Sequence, residues 1–346
     1  MRYHKLGRTG LFVSEICLGT MTYGGKGFWA VIGDLGLSAV AEQIKVAVDA
    51  GVNFIDTANV YHEGESERLT AEAISSLGLS RQSLVLATKV RGRMGPGPND
   101  AGLTRKHILW SIDESLRRLN TDYVDLYQIH GVDAATPIEE TLDALNDVVR
   151  AGKARYIGFC NLPAWTAMKA LAISERLGMA RFVSAQMFYS IAARDIEREI
   201  VPLAQDQGLG ILPWSPLAGG LVSGKFAPDA TGPQGARRTS FDFPIVDKAR
   251  AFATVDAMRP IAEAHGVSVA RIALAYVLHK PFVTSVIIGA RTPDQLTDNL
   301  AAASLRLSAE ELAQLDAASA LPPEYPGWMV QTQNSRDQNA DGSKRS

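Results

Sequence analysis

The strongest constraint on the fold is an eightfold alternation of short apolar runs with helix-like stretches. The runs fall at residues 16–18, 54–56, 84–89, 124–130, 156–159, 183–187, 209–212 and 286–288. Between them lie stretches with helical spacing or helix-end signals, at residues 38–48, 67–77, 104–119, 139–151, 163–177, 195–205, 248–265, 268–279 and 292–303. Ser38 and Thr104 stand as N-caps, Pro163 opens a helix, and Gly178 closes it. Strands separated by helices pair in parallel. Eight such units within one domain of this length imply a sheet closed on itself, not an open one.

The predicted fold is therefore an α/β protein, a (β/α)8 TIM barrel. Residues 3–5 and 11–13, around Gly7-Arg8-Thr9-Gly10, read as an N-terminal β-hairpin. Residues 308–319 read as an extra C-terminal helix, with Ser308 and Glu311 in capping-box positions. No linker interrupts the pattern, so residues 1–330 read as one domain, followed by a polar tail at 331–346 that is expected to be disordered. The ends of the runs give an independent check. Thr20, Asp56, Lys89, His130, Asn161, Gln186, Trp214 and Arg291 all lie at or just past a run's C-terminal end. A barrel brings all of these to one face, where active sites of this architecture form.

Composition removes several classes of function. The net charge is −2 and there is no basic block, which argues against nucleic acid as a partner. No apolar stretch is long enough to span a bilayer, and the first residues lack a signal-peptide core. The two cysteines, Cys17 and Cys160, stand far apart, which fits a reducing compartment and no disulfide framework. The expected location is cytoplasmic.

Three of the runs close on ionisable groups. Asn53-Phe54-Ile55-Asp56 leads through Thr57-Ala58-Asn59-Val60 to Tyr61, Leu84-Val85-Leu86-Ala87-Thr88 leads to Lys89, and Val124-Asp125-Leu126-Tyr127-Gln128-Ile129 leads to His130. A phenol with an ordinary pKa of about 10 keeps its proton at neutral pH. It can give that proton to a carbonyl oxygen while the carbon receives a hydride, and a nearby cation that lowers its pKa helps. Lys89 is that cation, Asp56 would hold Lys89 by a charge-assisted bond, and His130 would orient the carbonyl. Each residue alone reads best as a satisfied buried polar group, whereas the four together on one face read as a reductase site.

These residues resemble the signature of the aldo-keto reductases. The resemblance extends to Leu6-Gly7-Arg8-Thr9-Gly10, to Leu18-Gly19-Thr20-Met21, and to Ile287-Ile288-Gly289-Ala290-Arg291. It covers roughly residues 2–319 and is strongest to bacterial members of the long-chain branch related to potassium-channel β-subunits. The resemblance implies a barrel reductase that uses NADPH/NADP+ on a small-molecule carbonyl substrate, with Asp56, Tyr61, Lys89 and His130 as catalytic tetrad. It also implies a cofactor site. Asn161 and Gln186 would hold the nicotinamide carboxamide, with Asp56 beside it, and Trp214 would stack on the ring. Gly19, Thr20 and Met21 would make first-strand contacts. Ser215, Leu217, Gly219 and Lys225 would fold over the pyrophosphate, and Gly289, Arg291, Gln295 and Asn299 would take the adenosine 2′-phosphate and adenine. Cys160 stands where serine is usual, a weaker hydrogen-bond partner, with a modest effect expected on nicotinamide positioning. The branch suggests an alternative, a cofactor-bound redox-sensing subunit with slow turnover.

Other signals carry less. Gly219-Gly220-Leu221-Val222-Ser223-Gly224-Lys225 fits most of a phosphate loop, but Phe226 replaces the magnesium-binding hydroxyl. No Gly-x-Gly-x-x-Gly follows a strand, and the six histidines lack metal-ligand spacing. His62 reads as an exposed loop histidine and Arg237-Arg238 as a solvated pair. Phe28 and Trp29 either wall the substrate pocket or pack across the barrel mouth. The segment Tyr325-Pro326-Gly327-Trp328 either caps the site or docks on the barrel.

Overall fold

The computed structural model describes residues 1–228, 232 and 236–333. The expected tail beyond residue 333 therefore lies outside the described residues. Strands β1 (Tyr3–Lys5) and β2 (Phe12–Ser14) form the antiparallel hairpin. The main sheet contains β3 (Ile16–Gly19), β4 (Phe54–Asp56), β5 (Val85–Val90), β6 (Val124–Ile129), β7 (Ala154–Cys160), β8 (Phe182–Phe188), β9 (Gly210–Trp214) and β10 (Val286–Ile288). Its order is β10-β3-β4-β5-β6-β7-β8-β9, every pairing is parallel, and Ile211 bridges to Val283 to bring the two ends together. This is the expected (β/α)8 TIM barrel.

The helices are α1 (Leu37–Asp49), α2 (Glu65–Ser76), α3 (Arg105–Leu119), α4 (Ile138–Arg150), α5 (Ala164–Leu177), α6 (Ile200–Gln207), α7 (Arg237–Ser240), α8 (Lys248–His265), α9 (Val269–Leu278), α10 (Pro293–Ala301), α11 (Ala309–Ala318) and α12 (Gly327–Gln333). Thr104 caps α3, and Ser308 and Glu311 make both bonds of the capping box on α11. Local expectation failed at three ends. Gly36, not Ser38, is the N-cap of α1. The stretch read as one helix at 195–205 splits into a 3-10 turn, Asp195–Glu197, and α6. Strand β9 continues through Pro213 and Trp214, which sit in register with Met187 and Phe188.

Two apolar layers hold the barrel. The outer one joins the strands' outward residues to helix faces, for example Ile55 and Leu86 with Ile44 and Leu69. The inner one plugs the barrel with Cys17, Phe54, Val85, Ala87, Leu126, Leu212 and Ile287. Leu6 and Val13 of the hairpin segment belong to this plug, so the hairpin seals the N-terminal mouth. Gly7 makes the seal possible, because its φ is +58° and a Cβ there would lie 2.5 Å from the Val183 carbonyl oxygen. With the bottom filled, the C-terminal face is the end left for chemistry.

Candidate active site

Register brings the ionisable groups together. Asp56 pairs with Ala87 across β4–β5, so Lys89, two residues on, projects to the same inner side. Lys89 is fully buried and uses all three donors of Nζ. It donates to Asp56 Oδ2 at 2.5 Å, to the Thr57 carbonyl at 2.8 Å and to Tyr61 Oη at 3.2 Å. His130 meets the Tyr61 ring edge-on, with centroids 5.8 Å apart. All four tetrad residues expected from sequence therefore lie within one cluster.

Burial alone would lower the Lys89 pKa, but Asp56, then Tyr61, outweigh it and hold the ammonium above its ordinary value. Tyr61 is pushed up to about 12 by burial, against the lowering pull of Lys89. Sequence reasoning expected the cation to win. Desolvation wins instead, because the phenol is only 7% exposed. The His130 imidazole is driven well below the ordinary histidine range by burial and then by Lys89 and Arg91, so it is neutral.

The loop carrying Tyr61 is pinned from below. Ser66 Oγ donates to the Thr20 carbonyl at 2.8 Å. The fully buried Glu67 accepts from Thr88 Oγ1 at 2.5 Å and from Arg118 Nε at 2.7 Å. A short 3-10 turn, Tyr61–Gly64, connects to α2 with left-handed φ at His62 (50°), Glu63 (60°) and Gly64 (89°).

His62 is not exposed, contrary to expectation. It is fully buried, its Nε2 lies 3.0 Å from the Met21 carbonyl, and its Nδ1 accepts the Lys26 backbone N–H at 3.3 Å. Those bonds need the neutral ring with its proton on Nε2. Burial lowers its pKa, while the Met21 carbonyl, Glu65 and Asp34 pull the other way. The unfolded chain thus takes up a proton near pH 6.5 that the folded chain refuses, and stability should fall as pH drops below that value. His107 and His130 act in the same direction. Urea unfolding at pH 7.5 and 5.5 should show a smaller loss for His62→Asn, which tolerates the left-handed backbone, than for the native chain.

The residues expected to hold the cofactor lie near or past the C-terminal ends of β3, β4, β7, β8, β9 and β10. The Trp214 indole N–H donates to Asn161 Oδ1 at 2.9 Å, and Phe243 lies parallel to its ring at 5.9 Å. Gln186 Nε2 donates to Asp56 Oδ1 at 2.9 Å. Cys160 is buried, and burial keeps it a thiol. Gly19 lies in register with Asp56, the Thr20 N–H donates to the Asp56 carbonyl at 3.0 Å, and Met21 accepts from His62. Ser215, itself at left-handed φ, accepts the Gly219 N–H on Oγ at 3.0 Å, and the 3-10 turn that starts just past Leu217 has left-handed φ at Ala218, Gly219 and Gly220. Lys225, just past this turn, is exposed.

Arg291 Nη2 donates to the Val31 and Ile32 carbonyls at 2.9 Å each, and its N–H donates to Gln295 Oε1 at 3.1 Å. Asn299 Nδ2 reaches the Gly289 carbonyl at 3.5 Å.

Arg237 and Arg238 do not form a solvated pair. Arg238 is buried, donates to the Ala218 and Pro244 carbonyls at 2.7 and 2.9 Å, and pairs with Asp242. Arg237 Nε is buried without a partner among the described residues. Its pKa falls to about 10 through burial and then the charges of Arg238 and Arg291. Arg237 thus feels the positive charges of two other guanidinium groups.

Trp29 meets the Tyr61 ring at 5.1 Å, and Phe28 meets Phe241, which stacks on Phe243. Phe28 and Trp29 of the first loop thus join Phe241, Phe243 and Tyr61 in one aromatic seam. At the other open segment, Tyr325 and Trp328 touch each other and stay exposed, and the chain there is tied down by Arg198 to Glu324 and the Pro322 carbonyl. Sequence reasoning missed Phe241, Phe243, Ser66 and Gln128, none of which carries a local signal. Among the described residues, no single helix is long and apolar enough to cross a membrane, and no group of three His, Cys, Asp or Glu stands close enough to hold a metal.

The family model described as "Aldo/keto reductase family" matches residues 15–320. The uncharacterized oxidoreductase YrpG of Bacillus subtilis is 38% identical over 324 residues, covering 91% of this chain and 95% of its own. Versiconal hemiacetal acetate reductase of Aspergillus parasiticus is 33% identical, covering 94% and 99%. A probable voltage-gated potassium channel subunit beta of Arabidopsis thaliana is 36% identical, covering 87% and 91%.

Proposed function

The chain belongs to the aldo/keto reductase family, and on that premise we propose that it reduces an aldehyde or ketone to the alcohol with NADPH, Tyr61 acting as general acid. The observation that carries the reading is the Asp56–Lys89–Tyr61 chain of bonds, 2.5 and 3.2 Å long, beside a neutral His130. When bound, the nicotinamide supplies the hydride. Tyr61 holds the proton that the carbonyl oxygen takes, and its raised pKa keeps that proton in place at neutral pH. Lys89, fixed by Asp56, stabilises the charge that develops on the phenol oxygen as the proton leaves. Neutral His130 donates its own N–H to the same carbonyl oxygen and orients it. Run backwards, the same groups oxidise an alcohol.

The residues present suit the cofactor. Arg237 has a buried Nε with no partner among the described residues, and the charges of Arg238 and Arg291 act on it. Guanidinium groups bind phosphate in a bidentate way, which favours the cofactor with the extra 2′-phosphate. Asn161, Gln186 and Cys160 would surround the carboxamide, and Trp214 offers an aromatic platform. The seam of Phe28, Trp29, Phe241 and Phe243 suits a bulky, apolar carbonyl substrate. The similarity to a versiconal hemiacetal acetate reductase points the same way.

Tryptophan fluorescence titrated with NADPH and then NADH tests the cofactor reading. Quenching that is tighter with NADPH and diminished in Trp214→Ala is expected. Tighter NADH binding would reverse the cofactor preference, and no binding of either would end the reductase reading. The similarity to a potassium channel subunit beta favours a second reading, a redox-sensing subunit. Turnover separates the two, since a sensor reduces even good carbonyl substrates slowly.

A further inference from the structure

Gln128 lies on β6, two residues before His130, and is fully buried between the apolar plug and the charged pair. Its Nε2 donates to Asp56 Oδ1 at 3.0 Å, its Oε1 accepts from Gln186 Nε2 at 3.2 Å, and the Cys160 thiol lies 4.0 Å from the same oxygen. Only one amide orientation works. Turned over, the amide oxygen would face a carboxylate and the amide nitrogen would face another amide nitrogen. Space for the side chain comes from Gly158, its register partner on β7, where a Cβ would lie 3.3 Å from Gln128 Cγ and 2.3 Å from Ser184 Oγ.

We propose that Gln128 is a positioning residue that holds Oδ1 of Asp56, so that Oδ2 alone faces Lys89 and Lys89 stays within reach of Tyr61. The two carboxylate oxygens have divided duties: Oδ1 takes the two amides and Oδ2 takes the ammonium. Without the Gln128 donor, the negative charge on Asp56 is less dispersed. Lys89 is then drawn toward it and away from the phenol, and Tyr61 becomes harder to deprotonate. Gln186 and Cys160, which the cofactor reading places at the carboxamide, meet the same amide. Gln128 therefore joins the proton-donating half of the site to the cofactor half, and its effect on rate rests on the proposed reductase reading.

Two variants test this. For Gln128→Leu, kcat should fall about tenfold or more, while KM and the cofactor Kd stay within about twofold. The rising limb of alcohol oxidation with pH should move to higher pH. A residue that merely fills space would not move that limb. In Gln128→Glu the new carboxyl faces Asp56 and can replace the amide donor only while protonated. Carbon-13 NMR of the cofactor-free protein should show it titrating about two units or more above an ordinary glutamate, and activity should fall across that same titration. A titration in the ordinary glutamate range, or an unchanged kcat profile in Gln128→Leu, overturns the proposal. Absence of carbonyl turnover in the native protein would overturn the reductase reading instead, and the carboxyl titration would still decide the role of Gln128.

Discussion

Replacing Tyr61 by phenylalanine is expected to slow carbonyl reduction by roughly 10²–10⁴-fold, the usual contribution of a positioned general acid. The ring that meets Trp29 and His130 is kept, so cofactor affinity should change by no more than about twofold. The pH dependence sharpens the test. Tyr61 is pushed up to about 12, so reduction should hold its rate through the neutral range and fall only at strongly alkaline pH. Alcohol oxidation needs the ionised phenol and should climb with pH over the same interval. His130 titrates well below ordinary histidine, so no acid limb should appear near pH 6.5. Steady-state kcat in both directions between pH 5 and 10 should show a flat reduction rate with no limb at either end, while alcohol oxidation climbs toward alkaline pH. A Tyr61→Phe variant with native turnover would remove the mechanism.

Lys89→Met is expected to damage stability as well as rate. Lys89 and Asp56 are both nearly inaccessible, and the substitution would leave the Asp56 carboxyl buried without the cation that stands 2.5 Å away. Removing one member of such a pair typically costs about 3–5 kcal/mol. The Thr57 carbonyl and the Tyr61 hydroxyl would lose their donor at the same time. The double variant Lys89→Met/Asp56→Asn leaves no charge behind, so most of the stability should return while activity stays lost. Urea unfolding of the two single variants and the double variant forms the cycle that measures this coupling. Additive losses would mean that the pair contributes no coupling to stability. Recovery of activity in the double variant would mean that the positive charge is not needed for proton donation.

The barrel and the clustering of Asp56, Tyr61, Lys89 and His130 were legible because their signals are local. The alternation of runs shows in any short window, and the caps at Thr104 and Ser308 depend on residues three positions away. The polar ends at Asp56, Lys89 and His130 follow from strand termination, and parallel pairing then gathers them on one face. The first helix start was misread for the converse reason: Ser38 has capping chemistry, but the turn that precedes α1 places Gly36 at the cap.

What the chain alone determined is the architecture and which ionisable groups end the strands on one face, because both depend on spacing along the sequence. Only the tertiary structure decided how those groups behave. His62 became a buried strut because Gly24, with φ +118°, lets a distant loop close over its ring. Arg238 became internal because the carbonyls of Ala218 and Pro244 converge on it. The shift of the Tyr61 pKa is the balance between burial and the Lys89 ammonium 3.2 Å away. Gln128 in mid-strand looks like any buried amide until β4 and β8 bring Asp56 and Gln186 to its two ends. Burial and charge coupling depend on distances between residues far apart in the chain, and those distances exist only once the barrel has closed.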